Sequence, residues 1–129
     1  MSKTDMPKQY LLTFKDQGTY LHAYVEGESD SYEISKEYWT EIAAECKRRG
    51  ARNILVEENL LEDGPLVDVF RLGIELPLMG FHARKLAFVD RVPEHLNSNQ
   101  FGELVTVNRG FDVKMFDTVE AAEKWLLDG

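Results

Sequence analysis

The chain alternates between short stretches dense in apolar residues and longer ones in which apolar residues recur every third or fourth position. The first kind opens it. Gln9 to Phe14 (QYLLTF) and Thr19 to Gly27 (TYLHAYVEG) read as two strands. The KDQG between them reads as a hairpin turn, with Gly18 free to take positive φ. In the second strand Leu21, Ala23 and Val25 share one face, and Tyr20, His22 and Tyr24 share the other. His22 is weighed as a ligand or base against an ordinary strand residue on the less buried face, and the latter is the expectation.

The period then lengthens. In ISKEYWTEIAAECKRRG (34–50) Trp39, Ile42, Ala43 and Cys46 fall on one helical face, while Lys36, Glu37, Glu41, Glu45 and Lys47 lie mostly elsewhere. Ser35 is expected to cap the start of this helix, and Gly50 to take the left-handed turn after its end. Arg52 to Glu57 (RNILVE) is a short strand that runs into the acids Glu57, Glu58, Glu62 and Asp63, then Gly64 and Pro65. Pro65 fits a first helical turn, with Asp63 as cap or near-cap. From Leu66 to Leu76 the polar residues Asp68, Arg71 and Glu75 make one narrow stripe. Leu66, Val67, Val69, Phe70, Leu72, Ile74 and Leu76 fill the rest. That is too much apolar circumference for an ordinary surface helix, and Pro77 and Gly80 end or kink it.

Arg84 to Asp90 (RKLAFVD) reads as a buried strand. PEHLNSNQFGELVTVNRG (93–110) reads as a helix closed by Gly110, with Phe101, Leu104, Val105 and Asn108 on one face and its start left open around NSNQ. FDVKMF (111–116) alternates Phe111, Val113 and Met115 against Asp112, Lys114 and Phe116. The last helix opens on DTVE, where Asp117 and Glu120 have the spacing of a capping box, and turns Val119, Ala122, Trp125 and Leu126 inward. The order β-β-α-β-α-β-α-β-α predicts one α/β domain over residues 9–129, its mixed, mostly parallel sheet covered by helices. Residues 1–8 are expected to be a flexible N-terminus.

A net charge of −8 argues against sequence-independent binding to nucleic acid or to an anionic membrane. The one basic cluster, CKRRGAR (46–52), complements the carbonyl end of a helix dipole. Uncharged runs fall short of the roughly 20 apolar residues that span a bilayer, so no membrane insertion is expected. The opening MSKTDMPKQY lacks the apolar core of a signal peptide, which points to the cytoplasm. Cys46 stands alone, fits a reducing compartment, and falls among core positions as a small hydrophobe rather than a nucleophile.

Motifs that carry chemistry are missing. Gly64 stands alone, so neither a P-loop nor a dinucleotide fingerprint is present. His22, His82 and His95 have no ligand spacing, so no metal is expected, and His82 and His95 are read as solvated loop residues. Between Glu41 and Asn97 there is no Ser or Thr to serve as a nucleophile. The four acids after the third strand could pair for acid–base work or hold a cation. Their expected place is a solvated loop that puts negative charge near a helix N-terminus. No catalytic residue and no cofactor is expected.

KLAFVDRV (85–92), followed by FGELVTVNRGFDVKMFDTVEAAEKWL (101–126), ends on an acid, paired alanines and Trp-Leu. With this ending and its element order, the chain from about Gln9 to Leu127 resembles the STAS superfamily, the domain shared by sulfate transporters and anti-sigma factor antagonists. The likeness is greatest to a small stand-alone bacterial branch described as STAS or lipid-binding CRAL-TRIO-like. In anti-sigma antagonists the turn after the third strand carries a phosphorylatable Ser or Thr just before a Gly. Here Gly64 matches but Asp63 stands in place of the hydroxyl, so a switch that adds about two negative charges is not available there.

Two functions follow from these readings. The first is a regulatory interaction module, without enzymatic activity, in which Asp63, Gly64, Leu66, Asp68, Val69, Phe70 and Ile74 present a contact surface to a protein partner or a second copy. The second, implied by the lipid-binding likeness, is a carrier of a small apolar ligand. Its cleft would use the same residues with Met79, Phe81 and Phe101.

Overall fold

In the computed structural model, residues 9–81 and 85–128 are described. The expected flexible segment 1–8, and with it His82 and Arg84, lie outside them. Strands β1 (Leu11–Asp16) and β2 (Leu21–Ser29) form an antiparallel hairpin in which Leu11 faces Glu26 and Asp16 faces Leu21. The turn closes as its chemistry dictates: Gly18 takes φ +87°, and its N–H donates to Asp16 Oδ1 at 2.8 Å.

Helix α1 (Tyr32–Arg49) leads to β3 (Asn53–Glu62) and then to α2 (Leu66–Glu75), which Pro77 tightens into a 3₁₀ turn at Leu76–Leu78. After β4 (Lys85–Asp90), a 3₁₀ turn at Pro93–His95 opens α3 (Leu96–Asn108). Strand β5 (Val113–Phe116) and α4 (Val119–Leu127) complete the chain. The five strands lie in chain order, and every pair after the hairpin is parallel. The domain is α/β with a mixed, mostly parallel sheet, as the element order predicted. Among the described residues no helix is long and apolar enough to cross a membrane.

The helices divide over two faces. Ile34, Tyr38, Trp39, Ile42 and Cys46 of α1 pack with Leu76 on the row made by Leu21, Ala23, Val25, Ile54, Val56, Leu86, Phe88 and Val113. On the other face Ala122 and Leu126 of α4 cover Leu55, Ala87 and Val89. Cys46 is fully buried as expected, and burial pushes its thiol up to about 12. Gly50 takes φ +66° at the end of α1, where Arg48 and Arg49 pair with Glu45. His22 lies on the less buried face, 2.9 Å from Glu57.

Helix α3 turns a different face inward from the one its apolar residues suggested. Val105 and Thr106 are buried, while Leu104 and Asn108 are exposed. The reason is a reciprocal fit of two glycines. A Cβ on Gly73 of α2 would come within 2.9 Å of Val105 Cγ1, and one on Gly102 of α3 within 3.2 Å of Val69 Cγ1. Backbones this close need small residues at the crossing, and the crossing sets the rotation of α3.

Three local expectations are corrected. The cap of α1 is Ser31, in extended geometry, whose Oγ accepts from the Ile34 N–H at 3.1 Å. Ser35 lies one turn inside the helix, buried. The cap of α4 is likewise Thr118, whose Oγ1 accepts from the Ala121 N–H, rather than Asp117 one residue before. Strand β3 continues through Asn59–Glu62, because its ladder with β2 runs on to the Ser29–Glu62 pair and Leu60 is fully buried. The acids therefore do not share one solvated loop.

Candidate functional site

Three neighbouring parallel strands end on acids. In β3 the alternation that buries Ile54, Val56 and Leu60 also turns Glu58 to the α1 side, and Glu58 is the ladder partner of Asp90 in β4. Asp30 follows β2, held where its N–H donates to the Glu62 carbonyl at 2.9 Å. Over these strand ends lie the first turns of α1 and α2 and the N-terminal half of α3. They enclose a cleft of about 100 Å³. Trp39, Val69, Leu72, Phe88 and Met115 supply apolar wall, and Asp30, Ser35, Tyr38 and Glu58 supply polar groups deep in it. No Lys or Arg is among the described residues that line it.

The polar groups form one connected set. Tyr38, buried on α1, has its hydroxyl 2.8 Å from Glu58 Oε2 and 3.3 Å from Asp30 Oδ2. Asp30 Oδ1 accepts from the Ser31 N–H at 2.8 Å and from the Ser35 hydroxyl. Burial, then the neighbouring Asp30 and Asp90, holds the Glu58 carboxyl well above the usual carboxylate range. Burial also raises Asp30, to about 6, against the lowering effect of its hydrogen bonds from Ser35, Ser31 and Tyr38.

Beside this set Asp90 accepts from the Val92 N–H at 2.9 Å and from Asn99 Nδ2 at 2.8 Å, and lies 3.1 Å from His95 Nδ1. His95 is buried rather than a solvated loop histidine, because the 3₁₀ turn folds its ring back over the end of β4.

The outer wall is α2, and its polar stripe engages α1. Asp68 Oδ2 accepts from the Tyr32 N–H at 3.3 Å, and the Arg71 guanidinium lies 3.8 Å from the centroid of the Tyr32 ring. The Tyr32 hydroxyl donates to Glu75. Outside, Leu66 is 55%, Val67 69% and Phe70 44% exposed. Phe70 stacks on Phe101 at 6.2 Å, which joins this surface to the exposed Leu104 one turn along α3.

The residues singled out from the sequence therefore separate into three places. Asp63, Gly64, Asp68 and Val69 line the cleft. Leu66, Phe70 and Phe101 belong to the outer surface, and Ile74 is half-buried on the same helix. Met79 and Phe81 pack against the core instead, Phe81 standing edge-on to Trp39 and Phe111. Asp63 does not cap α2, since its Oδ1 accepts from the adjacent Gly64 N–H and α2 begins without a side-chain cap. Sequence reasoning missed Asp30, Ser35, Tyr38, Glu58 and Asp90 as one group. Glu58 did carry a signal, an acid at the position where the alternation of β3 demands a buried residue.

Among the described residues no cluster of His, Cys, Asp and Glu is arranged to hold a metal ion. Compared with known proteins, the chain matches no family model and no curated sequence.

Proposed function

We propose that this chain is a non-enzymatic protein-interaction module, and that the outer face of α2 with Phe101 and Leu104 of α3 is its contact surface. The observation that carries this reading is the inverted polarity of α2. Its Asp68, Arg71 and Glu75 are engaged with Tyr32 while Leu66, Val67 and Phe70 meet solvent. A contiguous exposed apolar patch on a domain of this size marks a site of contact. The likeness to STAS domains supports a regulatory role, with the constitutive charge of Asp63 where related domains carry a phosphorylatable hydroxyl.

Charge favours one kind of occupant. Exposed Glu62 and Asp63 lead into the helix that carries the apolar residues, on a chain of net charge −8. A second copy would bring the same sign to the contact. A heterologous segment with apolar anchors flanked by Lys or Arg complements it. The cleft favours the alternative of an acyl carrier less, because a fatty-acid carboxylate would meet Asp30 and Glu58 with no base beside them.

A photo-crosslinking residue at Val67, with one at Lys124 on α4 as control, tests the reading in cells. The expected result is a discrete adduct from Val67 only, weakened by salt and lost with Leu66→Glu, whose crosslinked peptide carries apolar residues flanked by basic ones. Adducts that are the same from both positions, or an adduct only with a second copy of this chain, would overturn it.

A further inference from the structure

At the cleft floor one hydroxyl, that of Tyr38, stands between two carboxyl groups. The Tyr38 hydroxyl has one hydrogen, yet Glu58 Oε2 and Asp30 Oδ2 both lie within 3.3 Å of its oxygen. The Ser35 hydroxyl lies 3.3 Å from the Tyr38 oxygen as well as against Asp30 Oδ1, and its one hydrogen, given to the carboxylate, serves neither Tyr38 nor Glu58. If Tyr38 donates to one carboxylate, the other faces a phenol oxygen with no hydrogen between them unless it brings its own proton. Asp30 already accepts from the Ser31 N–H and the Ser35 hydroxyl, two donors that favour its charged form. The carboxyl of Glu58, a residue 5% exposed, has the Tyr38 hydroxyl at 2.8 Å as its hydrogen-bond partner among the described side chains.

We infer that Glu58 is a neutral carboxylic acid at neutral pH, donating to Tyr38, which in turn donates to Asp30, and that this proton-dependent chain latches the first turns of α1 to the end of β3. Among the described residues that line the cleft, every group that can carry charge is an acid or a tyrosine, so none replaces the proton. Asp63 and Asp68 face the cleft from the entry and first turn of α2, and Glu103 faces it from α3. Asp90 stands beside Glu58 on β4 with His95 Nδ1 3.1 Å from its Oδ2, and β5 contributes Val113 and Met115 to the cleft. Loss of the proton puts a second charge on the floor of a cleft that no described Lys or Arg lines, and the Glu58–Tyr38 contact gives way. The direction of the Glu58 titration agrees with this assignment. The latch does not depend on what covers the outer face of α2.

Carbon-13 NMR of the glutamate side-chain carboxyls in the unaltered chain tests it directly. One resonance, assigned to Glu58 by its absence from Glu58→Gln, is expected to stay at the protonated position at pH 7. Infrared spectra should give the same answer, a protonated-carboxyl band at pH 7 that persists in Asp30→Asn and is absent from Glu58→Gln. Glu58→Gln, whose amide can donate to Tyr38 in place of the acid, should keep the neutral-pH fold and lose that part of the fall in melting midpoint which the Glu58 proton produces as the pH rises above the ordinary glutamate value of 4.5. A Glu58 resonance at the ionised position at pH 7, or a band unchanged in Glu58→Gln, would refute the assignment. Should Glu58→Gln fail to fold, a wild-type spectrum with all glutamates ionised at pH 7 refutes it equally.

Discussion

Arg71 of α2 lies over Tyr32 of α1, its guanidinium 3.8 Å from the ring centroid, and the hydroxyl of the same ring donates to Glu75 one turn further on. One residue thus holds the whole polar stripe of α2, its ring and hydroxyl engaging Arg71 and Glu75 and its backbone N–H donating to Asp68. Tyr32→Phe keeps the ring under Arg71 and loses the hydrogen bond, so it should cost about 1 kcal/mol. Tyr32→Ala removes both contacts and a buried ring, for about 3 kcal/mol. Urea unfolding of the two variants checks the order, and amide exchange in α2 should accelerate in Tyr32→Ala.

The outer side of the same helix should behave in the opposite way. Val67 is 69% exposed, so Val67→Glu is expected to change stability by no more than about 0.5 kcal/mol. With the photo-crosslinking residue placed at exposed Leu104 instead, the same substitution should abolish the adduct expected of the contact surface. A loss of several kcal/mol in thermal unfolding would mean that the side chain is covered by its own chain.

The contrast between these two sides was half legible in the sequence. The stripe Asp68, Arg71, Glu75 and the surplus of apolar residues followed from spacing alone, as did the buried face of α1 around Cys46 and the inward face of α4. What spacing could not give was the direction in which the stripe points. That depends on Tyr32, more than thirty residues earlier, and long-range partners leave no local period. The floor of the cleft was hidden for the same reason. Glu58 meets Tyr38 and Asp30 from two other elements, and in the sequence it is one of several neighbouring acids that resemble a solvated loop. The capping errors have a different cause. Ser31 and Ser35 stand one turn apart, and only the backbone, extended at Ser31, selects between them.

The crossing of α2 and α3 is set by Gly73, where a Cβ would lie 2.9 Å from Val105 Cγ1 and 3.2 Å from Val105 Cβ. Gly73→Val should therefore overpack the crossing and destabilise by about 2 kcal/mol, despite the helix propensity gained by losing a glycine. The accompanying double variant Gly73→Val with Val105→Ala is expected to recover part of the loss. Additive costs in chemical denaturation would show that the two residues do not share the crossing.

Asp30 gives the fold an unusual dependence on acid. Its carboxyl is raised by burial from an ordinary 3.8 to about 6 in the folded chain, so the folded state binds this proton more tightly than the unfolded state. The stability it contributes is present in full below about 3.8 and is lost as the pH rises through about 6. This part of the stability curve slopes downward from pH 4 to pH 7, opposite to the slope of a salt-bridged carboxylate. Asp30→Asn cannot titrate but can still accept from the Ser31 N–H, so it should flatten that slope by an amount on the order of 2 kcal/mol between the two ends. Urea midpoints at pH 4, 5, 6 and 7 for both proteins provide the measurement. Equal slopes would mean that Asp30 keeps its ordinary acidity in the folded chain, in spite of its place under α1.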